Sequence, residues 1–173
     1  MVFNVEQIRS QFPSLNTGVA HFDSPGGTQT PVSVGKAIYD TITGPLSNRG
    51  TGSLSEKNAE HSVREARAAA ADLLNADPRG IVFGRSMTQL TFDFARTLSQ
   101  NWKSGDEIVV SRLDHDGNVR PWVTYAQKTG ATLRWIDFDP ATGHLDVSDV
   151  EAVISEKTKV VALTAASNVL GSK

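Results

Sequence analysis

The sequence contains no cysteine, which removes disulfides, thiolate metal sites and a thiol nucleophile from within its 173 residues. It also lacks an excess of basic charge. The 17 Lys and Arg stand against 19 Asp and Glu, giving a formal net charge of -2 and a pI near 6.1. Without a run of Lys or Arg there is no electrostatic footprint for nucleic acid or for an anionic membrane. No stretch approaches the roughly 18 consecutive apolar residues that a membrane span requires. The opening MVFNVEQIRSQFPSL has neither the basic start nor the apolar core of a secretory signal. The expectation is a cytoplasmic protein with neither a nucleic-acid nor a membrane partner. Common nucleotide and hydrolase motifs are missing as well. No G-x-G-x-x-G lies between a strand and a helix, Gly35-Lys36 runs into Ala37 without the earlier glycine of a P-loop, and G-x-S-x-G is absent.

What is present is a globular composition, with 39% hydrophobic and 21% charged residues and 14 Gly and 7 Pro scattered along the chain. The length suits one domain with a substantial core. Asn4 can cap a short helix carrying Val5, Ile8 and Phe12, which Pro13 stops. Residues 21–23 read as a short strand before the Pro25-Gly26-Gly27 bend. Pro31 starts a helix that breaks at Gly44-Pro45. Residues 47–55 (SNRGTGSLS) form a polar loop, of a kind that either arches over a ligand or simply covers the surface. The Ala-rich run from Ser55 to about Asn75 is the clearest helix.

From there the pattern alternates. Strands are predicted over 80–84 (GIVFG), 107–111 (EIVVS), 131–138 (ATLRWIDF) and 159–165 (KVVALTA), and helices over 87–99, 118–129 and 147–155. This order predicts an α/β fold with a mainly parallel sheet and helices on both faces. Ligands in such sheets bind beyond the carboxyl ends of the strands, which directs attention to residues 85–88, 112–118 and 166–171.

Each of these segments has a chemical and a bland reading. Residues 83–95 (FGRSMTQLTFDFA) run from strand into helix and present free helix amides, with the Thr88 hydroxyl in the first turn; this suits an anion, although many such junctions bind nothing. His115 lies between Asp114 and Asp116, so a carboxylate could orient its ring for acid–base work; a solvated loop histidine is the alternative. Metal ligation is disfavoured because His21, His61 and His144 lie in unrelated segments, and no metal site is expected. Asn168 follows an apolar strand with both a donor and an acceptor to offer, or serves only its own turn.

In order, these segments resemble the class-V aminotransferases, and among them the cysteine desulfurase and selenocysteine lyase branch of pyridoxal 5'-phosphate (PLP) enzymes. Residues 22–29 (FDSPGGTQ) resemble the family's opening segment, and Asn48-Arg49-Gly50 with Leu54-Ser55 its active-site loop. Residues 83–88 (FGRSMT) resemble its phosphate-binding turn. Asp114-His115 through Asn118 with Pro121-Trp122 is similar to its Glu-His-His-x-Asn-x-x-Pro-Trp stretch, and residues 167–171 (SNVLG) to its Ser-Asn-x-x-Gly turn. Two departures stand out. One hydroxyl of the phosphate turn is replaced at Ser86-Met87-Thr88, and Asp116-Gly117 stands where desulfurases commonly have His-Ala.

The resemblance implies PLP as cofactor, with its phosphate on the Met87 and Thr88 amides and the Thr88 hydroxyl. His115 would stack on the ring and assist proton transfer, and Asn168 would bond the phenolic oxygen. It implies a small-molecule amino-acid substrate and a homodimer for the intact protein. The family's pyridinium-binding Asp, Schiff-base Lys and loop Cys all follow the Ser-Asn-x-x-Gly turn, and Lys173 lies in the wrong motif to replace that lysine. The chain is therefore expected to be an N-terminal portion, inactive alone. Residues 1–45 would form a leading segment and first helix, and residues 46–173 the first part of the PLP-binding large domain. The alternative is a non-catalytic α/β fragment or binding domain without PLP.

Overall fold

The computed structural model describes residues 3–173, so that Met1 and Val2 of the opening segment lie outside the described residues. The chain forms two compact units, Met1–Val82 and Phe83–Lys173. No helix among the described residues is long and apolar enough to cross a membrane.

The first unit is helical. Helix α1 (Val5–Arg9) is capped as expected, the Asn4 side chain accepting from the Gln7 amide at 3.1 Å. Helix α2 (Val32–Thr43) follows Pro31 and ends at Gly44. Helix α3 (Leu54–Leu74) starts one residue before the expected position because Ser53 and Glu56 form a reciprocal capping box. Glu56 accepts from the amides of Gly52 at 2.7 Å and Ser53 at 3.0 Å, and Ser53 Oγ accepts from the Glu56 amide at 3.2 Å. Asn75 closes α3 in the left-handed conformation, with φ 51°.

Two expected strands are absent. Residues 21–23 and 80–84 carry strand-like composition, yet the described residues of the first unit contain no strand with which to build a ladder. A strand exists only through its backbone partners. Residues 78–80 form a 3-10 turn instead, and Val82 and Phe83 remain 71% and 59% exposed.

The second unit carries the parallel sheet, in the order β2-β1-β3, from β1 (Glu107–Ser111), β2 (Thr132–Ile136) and β3 (Thr158–Ala162). Glu107 pairs with Thr132 on one side and Thr158 on the other, and a register shift between Glu107 and Ile108 brings Ile108 opposite Val160. Connecting β1 to β2 is α5 (Arg120–Thr129), and connecting β2 to β3 is α6 (Val147–Val153). The two crossovers run in opposite directions across the sheet. Right-handed connections therefore put α5 and α6 on opposite faces.

β1 is an apolar run buried on both sides, as expected of a central parallel strand. On the α5 face, Ile108, Val110 and Ala162 pack against Trp122 and Ala126 of α5 and Ala95 of α4 (Met87–Leu98). Trp102 and Trp122 lie 6.4 Å apart at a tilt of 33°. Each fully buried Ile or Val contributes about 1.5–3 kcal/mol. The amino end of β1 is pinned by the buried Asp106, which accepts from the Lys103 amide at 3.0 Å and lies 3.6 Å from Lys159 Nζ. The carboxyl ends of β1 and β3 then lead into two of the loops singled out in the sequence, residues 112–118 and 166–171.

Candidate cofactor site

Helix α4 starts at Met87 because Ser86 adopts an extended backbone and caps it, Ser86 Oγ accepting from the Gln89 amide at 3.2 Å. The Ser86 carbonyl takes the Leu90 amide at 3.0 Å. With these donors satisfied, the first-turn amides of Met87 and Thr88 are left without an intrahelical acceptor. They lie at the positive end of a helix of 12 residues, where an anion is favoured.

The loop after β1 folds back onto this helix end. His115 is extended and heads a 3-10 turn over Asp116–Asn118. Its Nδ1 accepts from the Gly117 amide at 2.9 Å. In the neutral ring this places the proton on Nε2, which is free to donate. The exposed ring leaves a face for stacking.

The sequence offered the flanking aspartates as partners for this ring, and neither serves. The Asp116 carboxylate is 3.1 Å from the Arg120 guanidinium. That of Asp114 accepts from the Asn118 side-chain amide at 2.7 Å and from Ser111 Oγ.

Gly117 is the joint of the site. It is buried, and a Cβ there would stand 2.5 Å from Thr88 Oγ1, 2.9 Å from His115 Nδ1 and 3.2 Å from Met87 Cε. The structure thus brings Met87, Thr88 and His115 together around one glycine. Sequence reasoning had marked the Gly as a departure without seeing what it admits.

Asn168 stands on the loop after the neighbouring strand. Buried Ser167 closes that loop on itself: its Oγ accepts from the amides of Val169 at 3.3 Å and Leu170 at 3.1 Å, and its carbonyl from Gly171 at 3.0 Å. Gly171 provides the left-handed φ of 74°. The turn is satisfied by Ser167 rather than by Asn168, whose side chain stays exposed. Leu113 from the β1 loop and Ala165 and Ala166 from the β3 loop line one cavity of about 190 Å³, so the two loops are neighbours. The geometry brings His115 beside the Thr88 and Met87 side chains at the start of α4, around Gly117, and leaves Asn168 on the adjacent loop.

The donors suit a phosphorylated aromatic group. Two amides and a hydroxyl can take the anion, and an imidazole and a side-chain amide can meet a flat polar ring. Within the first unit, the loop with Asn48-Arg49-Gly50 is held down onto α3. Arg49 donates to Glu60 from Nε at 2.8 Å and from Nη2 at 3.1 Å. This hydrogen bond is the main cause that holds the Glu60 carboxyl below the usual carboxylate range, and it raises Arg49 in turn.

Comparison with known proteins follows the same line. The chain is 34% identical over 178 residues to a probable cysteine desulfurase of Staphylococcus aureus, covering 98% of this chain and 43% of that protein. The cysteine desulfurase CsdA of Escherichia coli superposes with a TM-score of 0.84 at 32% identity, over 99% of this chain and 43% of its own. An apo cysteine desulfurase of Thermococcus onnurineus gives a TM-score of 0.87 at 32% identity, over 99% of this chain and 42% of its own. The chain thus spans less than half the length of these relatives. The family model for aminotransferase class-V matches residues 20–173, and the chain belongs to that family.

Proposed function

We propose that this chain is the N-terminal portion of a PLP-dependent enzyme acting on an amino acid, of the cysteine desulfurase-like kind. The observation that carries the reading is the meeting of the Thr88 and Met87 side chains, from the first turn of α4, with the His115 ring around Gly117, beyond the carboxyl end of the central strand. In this reading residues 46–173 belong to the PLP-binding large domain and residues 1–45 to a leading segment. The working form is a cytoplasmic homodimer.

The residues divide the work by their chemistry. The Met87 and Thr88 amides and the Thr88 hydroxyl bind the phosphate, where the helix dipole favours negative charge. His115 would cover one face of the ring, and its Nε2 could hold or move a proton there. Asn168 orients the ring through its phenolic oxygen. When bound, PLP supplies an electron sink that lets a bond to the substrate α-carbon break. The Schiff-base lysine is assigned to no residue of this chain.

Titration of the isotopically labelled chain tests the reading. PLP is expected to shift the Met87 and Thr88 amide resonances and the His115 ring signals, whereas inorganic phosphate shifts the two amides alone. Thr88→Ala should weaken both responses. Amides that respond to neither ligand would leave a non-catalytic α/β domain as the better description.

A further inference from the structure

We infer that Asp114 is a positioning residue: it clamps the His115 turn to the end of β1 and so fixes where the imidazole stands beside the start of α4. Four side chains form the clamp. Ser111, the fully buried last residue of β1, donates its hydroxyl to the Asp114 carboxylate. Ser111 Oγ also accepts from the Leu113 amide at 3.2 Å, which fixes the first step of the loop. The other Asp114 oxygen accepts from Asn118 Nδ2 at 2.7 Å. Asn118 Oδ1 in turn accepts from Trp122 Nε1 at 3.4 Å, and Trp122 is 4% exposed within the core. A continuous hydrogen-bonded path thus runs from the end of β1 to the first turn of α5.

His115 is the residue this path brackets. Its own ring hydrogen-bonds to none of the four side chains; its partner is the Gly117 amide. The 3-10 turn holds itself locally, through the Asn118 amide to the His115 carbonyl at 2.8 Å and the Val119 amide to the Asp116 carbonyl at 3.0 Å. Those bonds shape the turn without fixing it relative to the sheet. The carboxylate does that, because it alone bonds both a strand residue and a residue of the turn. The consequence lies at Gly117, where the Thr88 hydroxyl stands so near that a Cβ would meet it at 2.5 Å, so that moving the turn would alter how it packs on α4. A carboxylate is well suited to the task, since it accepts from two donors at once and charge-assisted bonds are the stronger ones.

The inference rests on the PLP reading for its function, while its structural content can be measured without PLP. Three variants of the full chain are compared: Asp114→Ala, Asp114→Glu and Ser111→Ala. Two signals report the geometry of the unliganded chain. One is the nuclear Overhauser contact between the Met87 methyl and the Gly117 α-protons, and the other is the His115 ring nitrogen pattern that marks a single Nε2–H tautomer.

The native chain should show both. Asp114→Ala should lose the contact and average the two tautomers while the Trp122 indole signal and the melting curve keep the fold in view. Asp114→Glu, which keeps the carboxylate, should restore most of each signal. Ser111→Ala removes only one donor and should fall between them; it also decides the matter if Asp114→Ala fails to fold. In the PLP titration, Asp114→Ala should weaken the His115 response by roughly tenfold, the scale seen when a partner that orients a ligand is removed, with the phosphate response of the Met87 and Thr88 amides unchanged. A native contact and tautomer in Asp114→Ala, or in Ser111→Ala where that variant must decide, would overturn the inference. If both signals change as expected but the native chain ignores PLP, the clamp stands and the proposed function fails.

Discussion

At position 117 three side-chain atoms from Thr88, His115 and Met87 surround a carbon that has no substituent. Gly117→Ala should therefore destabilise the second unit by about 1–3 kcal/mol, the usual cost of inserting a methyl into a closed space. The nearest atom is a hydroxyl on a rotatable bond, so Thr88→Ala in the same chain should recover much of that loss. Chemical denaturation of the two single variants and the double variant measures the coupling; strict additivity would mean that the two groups do not meet. The sequence made His115 and Asn168 visible as residues on the loops after strands, and Met87 and Thr88 as the start of a helix, although the strand expected before that helix does not form. The closeness of residues 88 and 117 was not visible, since it arises from α4 and the turn packing together across distant sequence. The ring partner of His115 was hidden for another reason: a backbone amide leaves no trace in residue type. The Asp114–Asn118 and Asn118–Trp122 bonds did carry a signal, their four-residue spacing.

Helix α3 has the strongest local signals in the chain, and its start can be tested alone. Ser53→Ala removes the capping oxygen and should cost about 1 kcal/mol of stability, read as a shift of the melting curve. A shift of zero would mean that the Gly52 and Ser53 amides bonded to Glu56 hold the helix start without it. The Arg49–Glu60 pair, on the next loop turn, gives a pH dependence. Arg49 depresses the Glu60 carboxyl, so the pair's contribution is fully present above the unfolded carboxyl's titration range and is lost as pH falls through the depressed value. Protection of the residue 47–52 amides, relative to their intrinsic exchange at each pH, should fall on that acid limb, and Glu60→Gln should remove this dependence. The same contrast between local and distant causes explains which elements could be read. β1 is found at residues 107–111 as expected, because an unbroken apolar run between a turn and a polar loop marks a central strand. Residues 80–84 have similar composition but no ladder, and composition cannot supply the neighbour that a strand requires.

The two units differ in how much they bury. The described core of the first unit contains only Ala59 and Ala71, whereas the second holds Ile108, Val109, Val110, Trp122 and Ile136. Hydrogen exchange should follow this contrast, with β1 amides the slowest in the chain and α3 amides opening at lower free energy. Protection of α3 equal to that of β1 would contradict it. Trp122→Ala should remove roughly 3–5 kcal/mol and speed exchange throughout β1 while leaving the α3 pattern as it was. The strand order has a further consequence in time. β1 is the middle of the sheet but the first of the three strands to be synthesised, and its partners begin at Thr132 and Thr158. At roughly 5–20 residues per second on a ribosome, its apolar run waits on the order of seconds for its second flank. During that interval the nascent chain carries a sticky half-sheet, and a chaperone that recognises short aliphatic segments would find its first docking point there.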